Sequence, residues 1–268
     1  FCDVNSCRAI YAEADFLPGL VVDKFGGVLV VQVLSLGMEL WKRELTDILV
    51  EVIRPEGIYE RNDVPVRRLE GMQETTGLLY GDVPDRVPMV ENGIVYAVDV
   101  KHGQKTGFFL DQKENRAAIA PLCPGARVID MFCHNGSFAL NAAKYGAREV
   151  TGVDISEEAL DVARENARIN RVRNASFVCA DAGEHLAKAD ATFDVVILDP
   201  PRAGASEEFL GSLLAATPRR IVYISCNPVT QVRDIERLSS AYRVARLVGV
   251  DMFPHTKHLE SVALLERR

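Results

Sequence analysis

From about Ala126 the chain alternates short apolar runs with stretches of helical spacing. Arg127 to Met131, Glu149 to Val153, Ala175 to Cys179, Phe193 to Leu198 and Ile221 to Ser225 read as buried strands. Between them, Ser137 to Tyr145 closed by Gly146, Glu157 to Ile169 behind the N-cap Ser156, Glu207 to Ala216, and Thr230 to Ser239 read as helices. Such alternation predicts an α/β fold with a parallel, doubly wound sheet. Two last runs, Tyr242 to Val250 and Ser261 to Leu265, are joined by Asp251 to Glu260, too irregular for a crossover helix. They predict an antiparallel hairpin at one edge.

The first hundred residues follow another pattern. Tyr11 to Val22 and Val28 to Leu34 read as extended runs around a hairpin at Phe25-Gly26-Gly27. Glu39 to Val52 has amphipathic helical spacing, and Met89 to Val100 reads as a second hairpin turning at Asn92-Gly93. This is a small α+β unit, with a boundary expected near Val98 to Gln104.

Composition narrows the class. The chain has 268 residues, 48% hydrophobic and 26% charged, which excludes disordered and collagen-like types. The six cysteines form no CxxC pair, so a reduced, cytoplasmic compartment is expected and a zinc site is not. No apolar run is long enough for a bilayer, and no signal segment opens the chain. It begins at Phe1 rather than Met, which leaves room for a preceding module. A formal net charge of −7 gives no overall attraction for nucleic acid, so any such contact must be local. Arg61, Arg67, Arg68, Arg171, Arg173, Arg219 and Arg220 are candidate phosphate contacts, though each taken singly reads better as a solvated surface charge.

In an open α/β sheet, ligands collect at the carboxyl ends of the strands. The segment Asp130-Met131-Phe132-Cys133-His134-Asn135-Gly136-Ser137 runs from a strand through a small-residue turn into a helix, and Gly136 offers close backbone approach. The turn lacks the GxGxxG fingerprint, which disfavours a dinucleotide and a nicotinamide dehydrogenase. Asp154 ends the next strand beside Ile155, where a carboxylate can accept two ribose hydroxyls, and Asp181 with Ala182 follows the third, near an adenine amino group. Acids at 130, 154 and 181 suit a cofactor with a ribose, an adenine and a cationic sulfonium. The plainer alternative is that each caps the following helix.

Two rigid turns follow the fourth and fifth strands, Asp199-Pro200-Pro201-Arg202 and Ser225-Cys226-Asn227-Pro228, and the edge hairpin adds His255, His258 and Glu260. Carbon 5 of a pyrimidine becomes nucleophilic only after addition at C6. A thiolate at Cys226, a methyl donor and a base at Glu260 supply such a reaction. A thiol with pKa about 8.5 is mostly protonated at neutral pH, so nearby positive charge, with Arg202 a contributor, is expected to favour the anion. By position alone Cys226 reads equally as an inert core thiol, and Glu260, without the neighbouring turns, reads better as a solvated loop or edge-strand carboxylate. The two histidines lack the ligand set of a metal site.

The motifs Asp199-Pro200-Pro201-Arg202-Ala203-Gly204, Ser225-Cys226-Asn227-Pro228 and Asp251 to Thr256 with His258 and Glu260 resemble those of the RNA uracil-C5 methyltransferases that act on tRNA and 23S rRNA. The resemblance implies Cys226 as nucleophile, Glu260 as base, and Asp199, Pro200, Pro201, Arg202, Asn227 and His255 around the base. Upstream, Tyr11 to Asp23, Lys105 to Gln112 with Asn115-Arg116, and Asp130 to Leu140 resemble the large-subunit rRNA cytosine-C5 methyltransferases. Those usually carry an N-terminal PUA domain, which is not evident here. This second resemblance places Asp111 and Gln112 near the cofactor, S-adenosyl-L-methionine. Together the two imply a Rossmann-like seven-stranded methyltransferase sheet over residues 99–268, with a smaller α+β, RNA-engaging domain over 1–98. Arg202 stands where many cytosine enzymes carry a second cysteine, so the active-site resemblance favours uracil, while the upstream architecture favours cytosine; uracil is slightly preferred. An unstacked pyrimidine in rRNA is the expected substrate. The rivals are an amino-group methyltransferase, disfavoured by Arg202 and Cys226, and a non-catalytic RNA-binding protein of the same fold.

Overall fold

A computed structural model of the chain describes residues 5–189, 192–252 and 259–268. It divides into two compact units, one running through Lys113 and the other from Glu114 onward. The polar stretch Lys101 to Gln104 therefore lies inside the first. No helix among the described residues is long and apolar enough to cross a membrane.

In the first unit, β1 (Ser6–Tyr11), β2 (Leu20–Phe25), β3 (Val28–Val33), β4 (Gly57–Asn62) and β5 (Thr75–Gly81) form one sheet in that order. Only β3 and β4 pair in parallel, joined through α1 (Leu36–Leu40) and α2 (Lys42–Ile53). Leu20, Val22, Leu29, Val31, Val33 and Ile58 form the core with Leu49 of α2. The hairpin expected at Gly26-Gly27 is present, but its first run is not continuous. After β1 the chain turns through a 3-10 segment, Ala12–Asp15, before β2 begins. The helix expected over 39–52 is broken at Trp41 (φ −101°, ψ 6°), where Glu39 and Lys42 on either side turn to Arg67 and Glu60. After the one-turn helix α3 (Val66–Leu69), β6 (Val87–Glu91) and β7 (Ile94–Val98) form the expected hairpin. Both Asn92 and Gly93 have positive φ, as a tight turn of this kind requires.

Two of the arginines proposed for phosphate are corrected here. Arg61 is buried, donating to the carbonyls of Val100 and Gly103 and pairing with Asp63. Arg67 is buried on the carbonyls of Val33 and Gln73 and on Glu39. Their donors are consumed inside the unit.

The division falls at the first residue of α4 (Lys113–Ala118), and the second unit holds β8 (Arg127–Met131), α5 (Ser137–Lys144), β9 (Glu149–Asp154), α6 (Glu157–Ile169), β10 (Ala175–Cys179), α7 (Ala182–Lys188), β11 (Val195–Leu198), α8 (Glu207–Ala216), β12 (Arg220–Ser225), α9 (Pro228–Leu238), β13 (Tyr242–Val250) and β14 (Glu260–Arg267). The seven strands lie in the order β10-β9-β8-β11-β12-β14-β13. The first five are parallel, and β14 pairs antiparallel with both β12 and β13, which makes the expected edge hairpin.

Alternate residues of each strand serve opposite faces, as the two-residue period demands. Ile129, Met131, Val196, Leu198, Ile221 and Tyr223 pack with Leu186, Phe209, Leu210, Leu213 and Leu238 of α7, α8 and α9. Val128, Val150, Val195, Ile197, Val222 and Ile224 pack with Phe138, Ala139 and Ala142 of α5. The arrangement is α/β with a Rossmann-like methyltransferase sheet. It brings the ends of β8, β9, β10, β11 and β12 to one edge. Arg171 and Arg173 precede β10, Arg219 precedes β12 and Arg220 opens it, so all four lie at the opposite edge from those strand ends.

Candidate active site

The turn after β8 is unusual in its backbone. Phe132 (φ 65°), His134 (φ 48°) and Gly136 (φ 75°) all adopt left-handed φ, two of them at a cost of order 1–3 kcal/mol for a residue with a side chain. The His134 N–H donates to Asp154 Oδ2 at 2.8 Å, and Asp154 Oδ1 accepts the Ser156 N–H at 3.0 Å. The anion facing this turn is thus the protein's own carboxylate, which further disfavours a phosphate. Burial lowers the His134 pKa, so its ring is neutral. Phe132 packs its ring on Phe209, with centroids 5.5 Å apart. Gly136 is needed for a reason other than ligand approach: a Cβ there would lie 2.8 Å from the Phe177 ring and 2.9 Å from Ala163. Asn135 and Ser137 are buried beside it.

The three strand-end acids part company. Asp130 Oδ2 accepts the Ala139 N–H of α5, and Asp181 Oδ1 caps α7 at the Glu184 N–H, 3.0 Å away. Asp154 caps no helix, because Ser156 Oγ takes that place on α6. It instead joins the turns after β8 and β9, with the exposed Ile155 next to it. Asp130 is held well above the usual carboxylate range by burial, then by the charges of Asp199 and Asp154. The electrostatically linked acids are therefore 130, 154 and 199. Asp181 is exposed, and Ala182 beside it is buried.

Asp199 follows β11, with Pro200 buried and Pro201 and Arg202 exposed. The next residues are tied to α9. The Arg202 carbonyl accepts from Asn227 Nδ2 (3.2 Å) and Thr230 Oγ1 (3.4 Å), and Ala205 N–H donates to Asp234 Oδ2 (2.8 Å). Asp234 is fully buried, taking the Tyr223 hydroxyl at 2.6 Å and pairing with Arg233 at 2.7 Å. This fastening was not anticipated. Its one visible sign was Gly204, whose φ of 85° and approach to Arg233 and Asp234 exclude a side chain.

Cys226 lies one residue past β12, at the start of α9, and is half-buried. Ser225 pairs with Ser261, so one further step along this antiparallel ladder sets Cys226 opposite Glu260, which is buried at 4% exposure. Burial raises the Cys226 pKa first, followed by the Glu260 charge; Arg202 lowers it and Asp199 raises it. The net direction corrects the expectation that the surroundings favour the thiolate, since two carboxylates and burial outweigh Arg202. Glu260, Asp199 and Arg202 are nonetheless brought to bear on one thiol. His255, His258 and the rest of 253–258 lie outside the described residues. Asp111 and Gln112 belong to the first unit, in the 3-10 turn Leu110–Gln112. Gln112 is buried, and Asp111 Oδ1 is buried without a hydrogen-bond partner among the described residues.

A Rossmann-like sheet with acids at successive strand ends defines the methyltransferase class of fold. The family model described as tRNA (Uracil-5-)-methyltransferase matches residues 124–268, and the chain belongs to that family. It is 43% identical over 215 residues to Ribosomal RNA large subunit methyltransferase I of Aeromonas hydrophila, covering 76% of this chain and 54% of that protein. The same-named protein of Shewanella amazonensis is 43% identical over 202 residues, 73% of this chain and 51% of that one. The chain thus spans about half the length of these relatives. Among solved structures, a protein assigned as a SAM-dependent methyltransferase from Streptococcus mutans shares the fold (TM-score 0.83, 20% identity, 98% of this chain, 75% of that one). So does Pyrococcus abyssi tRNA (uracil-54, C5)-methyltransferase in complex with S-adenosyl-L-homocysteine (TM-score 0.67, 26% identity, 92% of this chain, 59% of that one).

Proposed function

We propose that this chain methylates C5 of a pyrimidine in RNA, with S-adenosyl-L-methionine as donor and Cys226 as covalent nucleophile. The observation that carries the reading is the meeting of Cys226 and Glu260 at facing ends of β12 and β14, with Asp199 and Arg202 acting on the same thiol. The donor set suits the cofactor. Asp154, fixed by two backbone N–H groups and free of helix capping, accepts ribose hydroxyls, and Ile155 offers an apolar face to the adenine beside Asp181. Asp154 and Asp199 give the site the negative field a sulfonium needs, the same field that helps hold the Asp130 carboxyl above the usual carboxylate range. When bound, S-adenosyl-L-methionine supplies an electrophilic methyl group.

The Cys226 thiolate adds to C6 of the base, forming a C–S bond and moving an electron pair towards C5. After C5 has taken the methyl group, Glu260 removes the C5 proton. The electron pair left behind re-forms the C5–C6 double bond and expels the thiolate. At rest the thiol is protonated. Arg202 and the N-terminus of α9 favour the anion, and a cation among Asp130, Asp154 and Asp199 cancels the field that opposes it. Arg202 after Pro200-Pro201 supports uracil. The names of the full-length relatives make large-subunit ribosomal RNA the substrate to try first.

Tritium release tests this reading. RNA labelled as [5-³H]uridine or [5-³H]cytidine loses label to water only if the C5 proton is displaced. The chain is expected to release label from one of them in step with methyl incorporation, and Cys226→Ala to release none. Methyl incorporation without release would make it an amino-group methyltransferase. RNA binding without incorporation would make it a binding protein.

A further inference from the structure

The hydrogen-bonded pairing of β12 with β14 ends at Ser225 and Ser261, one residue short of Cys226 and Glu260. Glu260 is still held by the β13 ladder, through its pairing with Val250, whereas Cys226 lies past the last paired residue of β12. On the adjoining helix α9, the usual pattern is inverted. Val229 and Val232 are 78% and 53% exposed, whereas Gln231 is 1% exposed and turned inward. A sequence that breaks the burial rule in this way does so for a gain elsewhere.

The Gln231 contacts show what is gained. Its Nε2 donates to the Tyr223 carbonyl on β12 at 2.8 Å and to the Ser261 carbonyl on β14 at 3.3 Å. Its Oε1 accepts from the Ser261 hydroxyl at 2.7 Å. Two carbonyl partners fix the amide orientation, because only the NH2 group can face them. The Ser261 hydroxyl also lies 3.4 Å from the Ser225 carbonyl, and the Ser225 hydroxyl accepts the Asn227 N–H at 3.1 Å and lies 3.1 Å from the Asn227 carbonyl. One side chain thus ties Tyr223, three residues before Cys226, to Ser261, the residue just after Glu260, and the Ser261 hydroxyl carries the link on to the Ser225 carbonyl.

We propose that Gln231 is the positioning residue that holds the Cys226 end of β12 in register with the Glu260 end of β14. This rests on the reading of Cys226 as nucleophile and Glu260 as base. Gln231 touches neither the base nor the cofactor. It acts by fixing the separation between the group that adds to C6 and the group that takes the proton from C5, so that one bound pyrimidine meets both.

The test reads that separation without RNA or methyl donor. Cys226 alkylation by iodoacetamide is followed against pH in the full chain by mass spectrometry of its peptide, with the exposed Cys7 and Cys179 as internal references. Glu260→Gln removes a charge that raises the Cys226 pKa and is expected to shift its titration to lower pH. In a Gln231→Met background, which keeps the side-chain volume, that shift is expected to fall by half or more. An undiminished shift overturns the proposal. Gln231→Leu, which also removes both amide bonds to the strand carbonyls, gives a second background should Gln231→Met fail to fold, and the same outcome decides. Turnover adds an arm tied to the proposed reaction. Misplacing Glu260 is expected to lower kcat with little change in KM for RNA and to make the covalent adduct accumulate. Normal turnover in Gln231→Met also overturns the proposal. Loss of the coupling shift with no adduct in any variant would leave the positioning intact and refute the C5 mechanism instead.

Discussion

Asp130, the penultimate residue of β8, is 1% exposed, with one oxygen on the Ala139 N–H and the charges of Asp199 and Asp154 acting on it. Burial and like charge both penalise its ionised form, so its folded pKa is raised. In the unfolded chain an aspartate ionises near pH 3.9. Full stability from this group is therefore present below that value. It is lost as pH rises from there towards the folded pKa. Asp130→Asn keeps an acceptor for Ala139 and removes the titration. Thermal melts are expected to show the variant more stable than the parent at neutral pH, with the margin vanishing below about pH 4. A margin independent of pH would show that the carboxyl is ionised without penalty. The same scale shows what sequence reveals and what it hides. The places of Cys226, Asp199 and Glu260 could be read because each follows or opens a strand of the sheet. Gln231 and Asp234 could not, since Val229 and Val232 on the same helix suggest the opposite inward face.

Elements were legible where one physical signal dominated. Strands β8, β10 and β13 and helices α6 and α8 keep the bounds their patterns predict, each bounded by turn residues or caps. Helix α7 was missed because seven residues give too little periodicity, although Asp181 and Glu184 form the start signal of such a helix. Strand β4 was missed because it buries Glu60, Arg61 and Asn62, which erases the apolar alternation, and β5 because its residues are mostly exposed. The turn from Asp199 to Ala205 is the element to which the proposed reaction assigns base placement. Gly204→Ala puts a Cβ about 2.5 Å from Arg233 Nη2 at a φ of 85°. It is expected to cost more than about 1 kcal/mol in chemical denaturation. The effect on KM for RNA is expected to exceed the effect on cofactor affinity, because the displaced turn carries Pro201 and Arg202. A variant with unchanged stability and KM would show that the turn is not held by α9.

At the scale of the whole molecule, a net charge of −7 means that RNA is not drawn by the overall field. The second unit's design is local: five parallel strand ends deliver three linked acids, a proline-stiffened turn and a thiol to one edge, and an antiparallel strand returns a carboxylate to it. The fold was legible from strand-helix alternation, whereas the state of the thiol was not. That state depends on burial and on two carboxylates that only the folded chain brings together. The central claim is a covalent bond between Cys226 and C6 of a pyrimidine. The most direct measurement incubates the chain and S-adenosyl-L-methionine with large-subunit ribosomal RNA containing 5-fluorouridine or 5-fluorocytidine. Fluorine at C5 cannot leave as a proton, so the adduct cannot resolve. A denaturation-resistant protein–RNA species, formed with one analogue and absent in Cys226→Ala, is the predicted result. An adduct that survives Cys226→Ala, or methyl transfer to unsubstituted RNA with no trapping by either analogue, would contradict it.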